Sequence, residues 1–235
     1  MAPPELTGIE AIERTRSFKT FTSGSSGLDS LLGGGYREGR LVELLGSSNS
    51  GKTQLAMQAA LCVSRAGKFT LFVDSEGSFR PERIEEMAVG RGWDPTGILN
   101  RIVCVRTDSY AEQIEIAESM NKRETTAMAS LVVVDTLTRN FTVGLPGRSN
   151  LTERQGALGR YLSEASRDAY INARAYLLTN RVTFGLTRDI AIGGKTVEQM
   201  VHESLLLERN GSSIRATKLP HGERITARIG KAGVE

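Results

Sequence analysis

Several residue types are scarce in this chain. Its 235 residues include two cysteines, Cys62 and Cys104, and two histidines, His202 and His221. A disulfide framework and a thiolate-rich metal cluster are therefore excluded, and a zinc centre has almost no ligands to draw on. Trp93 is the single tryptophan, and aromatic residues make up 6% of the chain, too few to pave a surface for stacked bases. No stretch approaches the roughly 20 apolar residues that a membrane-spanning helix needs. The opening Met1-Ala-Pro-Pro-Glu-Leu6 lacks the basic start and apolar run of a secretory signal. Neither sign of charge dominates: 30 basic against 27 acidic residues leave +3, which permits a polyanionic partner without identifying one. What is present is ordinary for a globular chain, with 39% hydrophobic residues, enough to bury one sizeable core. These features predict an intracellular α/β protein with no membrane contact.

Short, nearly continuous apolar runs occur at Leu41–Leu45, Phe69–Asp74, Arg101–Arg106, Leu131–Asp135 and Ala175–Asn180. Runs that do not alternate suit strands buried on both faces. Helical patterns fall between them at Lys52–Ala66, Pro81–Arg91, Tyr110–Arg123 and Leu151–Tyr170. This alternation predicts βαβ crossovers and a mainly parallel sheet. Thr183–Lys195 then reads as a glycine-bearing loop. Three further runs, Ser204–Glu208, Ser213–Leu219 and Ile225–Ile229, are separated by Asn210-Gly211 and His221-Gly222, which predicts closing antiparallel hairpins. Residues 1–21 read as an arm and 22–235 as one core domain. Cys104 on a strand and Cys62 on a helix are expected to be small core hydrophobes.

Gly46-Ser47-Ser48-Asn49-Ser50-Gly51-Lys52-Thr53 fits G-x-x-x-x-G-K-[ST] at every defined position, with a buried strand before it and a helix after it. Its glycines let successive amides turn inward around phosphate oxygens, and the helix start adds a positive dipole end. Lys52 is expected to reach the β- and γ-phosphates, the Thr53 hydroxyl to bind Mg²⁺, and Gln54 to complete the nucleotide set. Leu131-Val-Val-Val-Asp135 ends a strand in an acid placed to hold that Mg²⁺ through water. Glu76 follows another strand end and is either a solvated loop acid or a base for the attacking water.

Taken together, the chain resembles the RecA-type recombinases, in particular the archaeal RadA and RadB branch and its eukaryotic relatives. The resemblance runs from about Thr22 onward. It is carried by Thr22-Ser-Gly-Ser, Leu28-Asp-Ser-Leu-Leu-Gly33-Gly-Gly35, Gly51-Lys-Thr-Gln-Leu55 and Val73-Asp-Ser-Glu76-Gly-Ser-Phe-Arg80-Pro-Glu-Arg83-Ile84. Val132-Val-Val-Asp135, Leu151-Thr-Glu-Arg-Gln155, Leu178-Thr-Asn180 and Ile192-Gly-Gly194 extend it. It implies a RecA-type P-loop ATPase core, with a twisted, mainly parallel sheet, helices on both faces and a C-terminal antiparallel extension. It further implies a DNA-dependent ATPase using ATP and Mg²⁺, acting on single-stranded DNA in recombination and repair, in the cytoplasm and at the nucleoid. Glu76 takes the place of the water-activating glutamate, Arg80 of the arginine that packs on adenine, and Asp135 of the Walker B acid. Arg139–Thr152 matches the first DNA-binding loop, with Arg139 and Arg148 as basic positions. Thr183–Lys195 matches the second, with Phe184, Arg188 and Lys195 as contacts.

Two departures stand out. Asn180-Arg181 replaces the family's Asn-Gln, so a cation stands where a neutral amide reads the γ-phosphate. The stretch Arg215–Pro220 lacks the family's Asp-x-Pro cap. The arm Leu6–Glu13 also has no Phe-x-x-Ala polymerisation motif. The chain therefore resembles a short RadB-type paralogue, expected as a monomer or small oligomer working with a full-length recombinase or other paralogues. An ATP-switched mediator with little intrinsic turnover is the alternative. A small-molecule kinase would need an arginine-bearing lid that the sequence does not offer.

Overall fold

The computed structural model describes residues 5–122, 124–184 and 189–235. Thr7 opens the first helix, α1 (Gly8–Ser17), through a capping box in which the Glu10 amide donates to Thr7 Oγ1 and the Thr7 amide donates to Glu10 at 2.7 Å. The segment expected as an arm thus carries a helix, tied down where Arg14 donates to the carbonyls of Tyr170 and Ile171. β1 (Thr20–Phe21) and β2 (Tyr36–Arg37) pair antiparallel, with α2 (Ser26–Leu31) between them in sequence.

The predicted strands follow as β3 (Leu41–Gly46), β4 (Phe69–Asp74), β5 (Ile102–Arg106), β6 (Ala129–Asp135) and β7 (Ala175–Phe184). Between them lie α3 (Lys52–Arg65), α4 (Pro81–Gly90), α5 (Pro95–Leu99), α6 (Tyr110–Ser119), α7 (Glu124–Ala127), α8 (Arg139–Gly144) and α9 (Leu151–Ile171). The chain continues through β8 (Asp189–Ala191), α10 (Gly194–Met200), β9 (Glu203–Asn210), β10 (Ser213–Leu219), β11 (Arg224–Gly230) and β12 (Gly233–Val234).

Among the described residues ten strands form one sheet in the order β12-β11-β10-β9-β3-β7-β6-β4-β5, with β8 paired to β7. Strands from β9 to β5 in that order run parallel, and β9 to β12 run antiparallel, as the hairpin signals predict. Alternate residues feed two cores. Leu44, Phe72, Val133 and Leu177 pack towards Leu55, Ala59 and Ile84 of α3 and α4. Leu71, Val73, Val132, Val134 and Leu178 pack towards Phe141, Leu158 and Leu162 of α8 and α9. Burial on both faces explains why the runs are continuous rather than alternating. Among the described residues, no helix is long and apolar enough to cross a membrane.

Four expectations are corrected. β5 is the sheet's edge strand, so its burial is partial and Cys104 is exposed rather than a core hydrophobe. The stretch Thr183–Lys195 is not one loop: β7 runs on through Phe184, β8 returns antiparallel, and α10 begins at Gly194. Arg139–Thr152 likewise opens with a helix, α8, because Phe141 is buried against Tyr110 and Tyr161. The helix predicted over Tyr110–Arg123 ends at Ser119 in a 3₁₀ turn, Met120–Lys122.

Candidate functional site

The carboxyl ends of β3, β7, β6 and β4 lie side by side, and the register decides which residues meet there. Gly46 is the Cα partner of Arg181, and Asp74 of Asp135. Such an edge is where open parallel sheets place their ligands. The loop leaving β3 needs its glycines. A Cβ on Gly46 would lie 2.4 Å from Ser50 Oγ and 2.6 Å from the Leu207 carbonyl, and Gly51 holds a left-handed φ of 102°. Asn49 is also left-handed, at φ 63°, a conformation asparagine tolerates better than most residues.

Ser47, Ser48 and Asn49 are exposed, while Ser50 is buried beneath them. Gly51 caps α3 without a side-chain acceptor, leaving the first-turn amides available to an anion. Lys52 opens that helix and folds back over the loop, its Nζ donating to Ser47 O at 2.7 Å, Gly46 O at 3.0 Å and Ser50 Oγ at 3.2 Å. Burial is the main cause lowering the Lys52 pKa below the ordinary lysine value; Asp135 opposes it, and nearby Arg181 adds to it.

Asp135 is almost fully buried at the end of β6. Its Oδ2 accepts from Thr53 Oγ1 at 2.8 Å and Ser78 Oγ at 2.6 Å, and its Oδ1 accepts from Thr179 Oγ1. Three hydroxyls thus hold one carboxylate, each from a different part of the chain. Hard oxygen donors of this kind suit Mg²⁺, which takes one or two protein ligands and fills the rest of its octahedron from phosphates and water. The Thr53 hydroxyl and the Asp135 carboxylate are the oxygens that would face such an ion.

Asp74, at the end of β4, organises the loop that carries Glu76. Its Oδ1 accepts the amides of Glu76 (3.1 Å), Gly77 (2.8 Å) and Ser78 (3.0 Å), and its Oδ2 accepts that of Phe79 (3.1 Å). Glu76 is thereby presented at the same edge as Lys52, and its Oε1 accepts from Arg181 Nη2 at 2.7 Å. Arg80 is exposed and donates to the carbonyls of Gly77 and Phe79. Gln54 faces α4 instead of the loop: its Oε1 accepts from Arg83 Nε at 2.9 Å, and its amide nitrogen meets Met87 Sδ.

The Rad51 family model matches residues 14–220. The chain belongs to the Rad51 family. It is 34% identical over 236 aligned residues to the DNA repair and recombination protein RadA of Metallosphaera sedula, an alignment covering 92% of this chain and 72% of that protein. It is 35% identical over 229 residues to the protein of the same name from Aeropyrum pernix, covering 90% and 72%. A RadA- and RadB-like recombinase core is the match that these comparisons support.

Within this Rad51-family core, the residues predicted to contact DNA lie on two segments, 139–152 and 183–195. Arg139 opens α8, and its guanidinium donates to the Ser75 carbonyl at 2.8 Å, tying that helix to the Glu76 loop. Arg148 is exposed in the turn before α9, and Lys195 is exposed in the first turn of α10. Phe184 is the last residue of β7, and Arg188 lies outside the described residues. Both segments meet at Asn180, which is fully buried. Its amide donates to Glu43 Oε1 and to the Ile192 carbonyl, and its oxygen accepts from Thr138 Oγ1 and the Arg181 amide, all within 2.8–2.9 Å. Burial raises the pKa of Glu43 despite the donors from Asn180 and Ser204.

The sequence carries Asp74, Ser78 and Thr179 within longer motifs, and the structure gives each a role at this edge. For Asp74 a signal existed: an aspartate followed by Ser-Glu-Gly-Ser is a side-chain-capped turn in the making. For Thr179 and Ser78 there was none, because their contacts with Asp135 depend on tertiary pairing.

Proposed function

We propose that this chain binds ATP with Mg²⁺ and single-stranded DNA and hydrolyses ATP in support of homologous recombination and DNA repair, as a RadB-type recombinase paralogue. The observation that carries the reading is the convergence of Lys52, Thr53, Asp135 and Glu76 on one sheet edge. The two relatives named for DNA repair and recombination support the biological setting. Residues 22–235 form the working core in this reading, and residues 1–21 an arm.

The amides from Gly46 to Thr53 and the Lys52 ammonium cradle the phosphates, as their geometry favours. Thr53 and, through water, Asp135 hold Mg²⁺, which when bound neutralises charge on the phosphate oxygens. Glu76 accepts the proton of the attacking water, and Arg80 packs on the base as a planar guanidinium can. Arg139, Arg148, Phe184, Arg188 and Lys195 contact the DNA strand, the basic ones by neutralising phosphates without reading sequence. The chain works as a monomer or small oligomer beside a full-length recombinase or other paralogues, at the nucleoid in the cytoplasm.

Steady-state ATP hydrolysis, with and without single-stranded DNA, tests this directly. DNA-stimulated turnover that Lys52→Ala and Glu76→Gln both abolish is the expected result. Absence of turnover and of nucleotide binding would refute the reading. One observation favours a second reading, an ATP-switched mediator: Glu76 is paired to Arg181, which restrains the base. Intact nucleotide binding with DNA-independent, slow turnover and capture of a full-length recombinase would select it.

A further inference from the structure

The pair formed by Arg181 and Glu76 joins residues 105 positions apart and sits at the mouth of the phosphate loop. Arg181 has a fixed backbone and a charge that reaches solvent. Its amide donates to Asn180 Oδ1, its carbonyl accepts from the Ile192 amide, and its Cα pairs with Gly46. Its side chain, by contrast, is about half exposed, at 48%. Among the described residues Arg181 is the one hydrogen-bonding partner of the Glu76 carboxylate. Both groups also lie within electrostatic reach of Lys52, whose proton affinity Arg181 lowers and Glu76 raises.

The mouth therefore holds two cations, Lys52 and Arg181, against two carboxylates, Glu76 and Asp135. Adding the terminal phosphate of ATP beside Lys52 brings further negative charge to a site where Arg181 and Glu76 both already act on Lys52. A guanidinium binds phosphate as readily as carboxylate, and in the same forked geometry. A triphosphate and Glu76 thus compete for one arginine.

We propose that Arg181 is an exchangeable clamp. With no triphosphate bound it holds Glu76; the terminal phosphate of ATP draws the guanidinium away and leaves the carboxylate free for the attacking water. The inference rests on the nucleotide-binding reading above and adds to it a preference for ATP over ADP. It also adds a reason why the base stays inactive until the substrate is complete.

Binding of a fluorescent ADP and of a non-hydrolysable ATP analogue by the full chain tests the exchange. Arg181→Met, which keeps the stem but neither charge nor donor, should weaken the triphosphate analogue by about tenfold or more, the loss of one charge-assisted contact, and leave ADP within about twofold, which also reports intact folding. Arg181→Lys, which keeps the charge but not the fork, should fall between. Glu76→Gln should tighten the triphosphate analogue about two- to fivefold, since a half-exposed ion pair no longer competes. That gain should vanish in the double variant, a coupling that a merely structural pair does not produce. Equal triphosphate binding by the wild-type protein and Arg181→Met would overturn the proposal, as would a Glu76→Gln gain that persists without Arg181. Wild-type protein that binds neither nucleotide would overturn the nucleotide reading itself, and the exchange with it.

Discussion

Replacing Asp74 by alanine should be among the most damaging single changes near the site, although Asp74 makes no hydrogen bond to the phosphate loop. Its carboxylate is 4% exposed and accepts four consecutive loop amides, three on Oδ1 and one on Oδ2. A hydrogen bond to a charged group contributes about 1.5–3 kcal/mol, but four amides sharing one carboxylate do not add, and a freed loop regains some water. The expected cost of Asp74→Ala is about 3–4 kcal/mol on that basis. Asp74→Asn keeps Oδ1 and its three amides but turns the other atom into a donor facing the Phe79 amide, for a cost of about 1–2 kcal/mol. Urea unfolding reads the difference: with a slope of about 2–3 kcal/mol per molar, the alanine variant should move the midpoint down by more than 1 M. Asp74→Asn should also bind ADP normally while losing ATP turnover, since the loop presenting Glu76 is loosened. An alanine cost below about 1 kcal/mol, or an asparagine variant as impaired as alanine, would refute the argument.

Two other changes follow from the same geometry. Gly51→Ala places a Cβ 2.4 Å from Ile214 Cδ1 at a left-handed φ, so it should lose about 1–3 kcal/mol in thermal or urea unfolding and weaken nucleotide binding. Adding Ile214→Ala should relieve the clash with Cδ1 but not the backbone strain, so recovery of nucleotide binding should be incomplete. Glu43 holds its proton more tightly in the folded chain than its ordinary value of 4.5, so wild-type stability should fall as pH rises from about 4.5 through the raised value. Glu43→Gln should flatten that slope and raise the urea midpoint at neutral pH; an unchanged slope between pH 5 and 8 would contradict the assignment to Glu43.

The parallel sheet was legible because strands covered on both faces leave continuous apolar runs, and Leu41–Leu45 and Leu131–Asp135 carry that signature plainly. Ile102–Arg106 carries it too, yet lies at the edge, since an apolar run does not record whether a further strand will pair beside it. Thr183–Lys195 read as a loop because Gly193 and Gly194 suggest mobility. In the structure their positive φ values, 97° and 55°, form the turn into α10. α8 was missed because six residues give too little periodicity, and it is held instead by Asn140, whose amide reaches Thr107 and Gln113. The phosphate loop could be read in full, being contiguous. The hydroxyls around Asp135 and the partner of Glu76 could not, because they come from a helix start, a loop and a strand far apart in sequence that only the fold brings together.

The position of β3 also fixes when the phosphate loop can exist. β3 lies between β7 and β9, and Leu41 is joined to His202 across 161 residues. During synthesis β4, β5 and β6 can pair as they emerge, since their partners lie close behind them in sequence. The strand that delivers Gly46 emerges before all of them and must wait for residues 203–210 before both its flanks are covered. Closing contacts of such long range is slow and comes late. A nascent chain on the ribosome therefore carries its phosphate-loop residues with the nucleotide site unmade until β9 has emerged and docked beside β3.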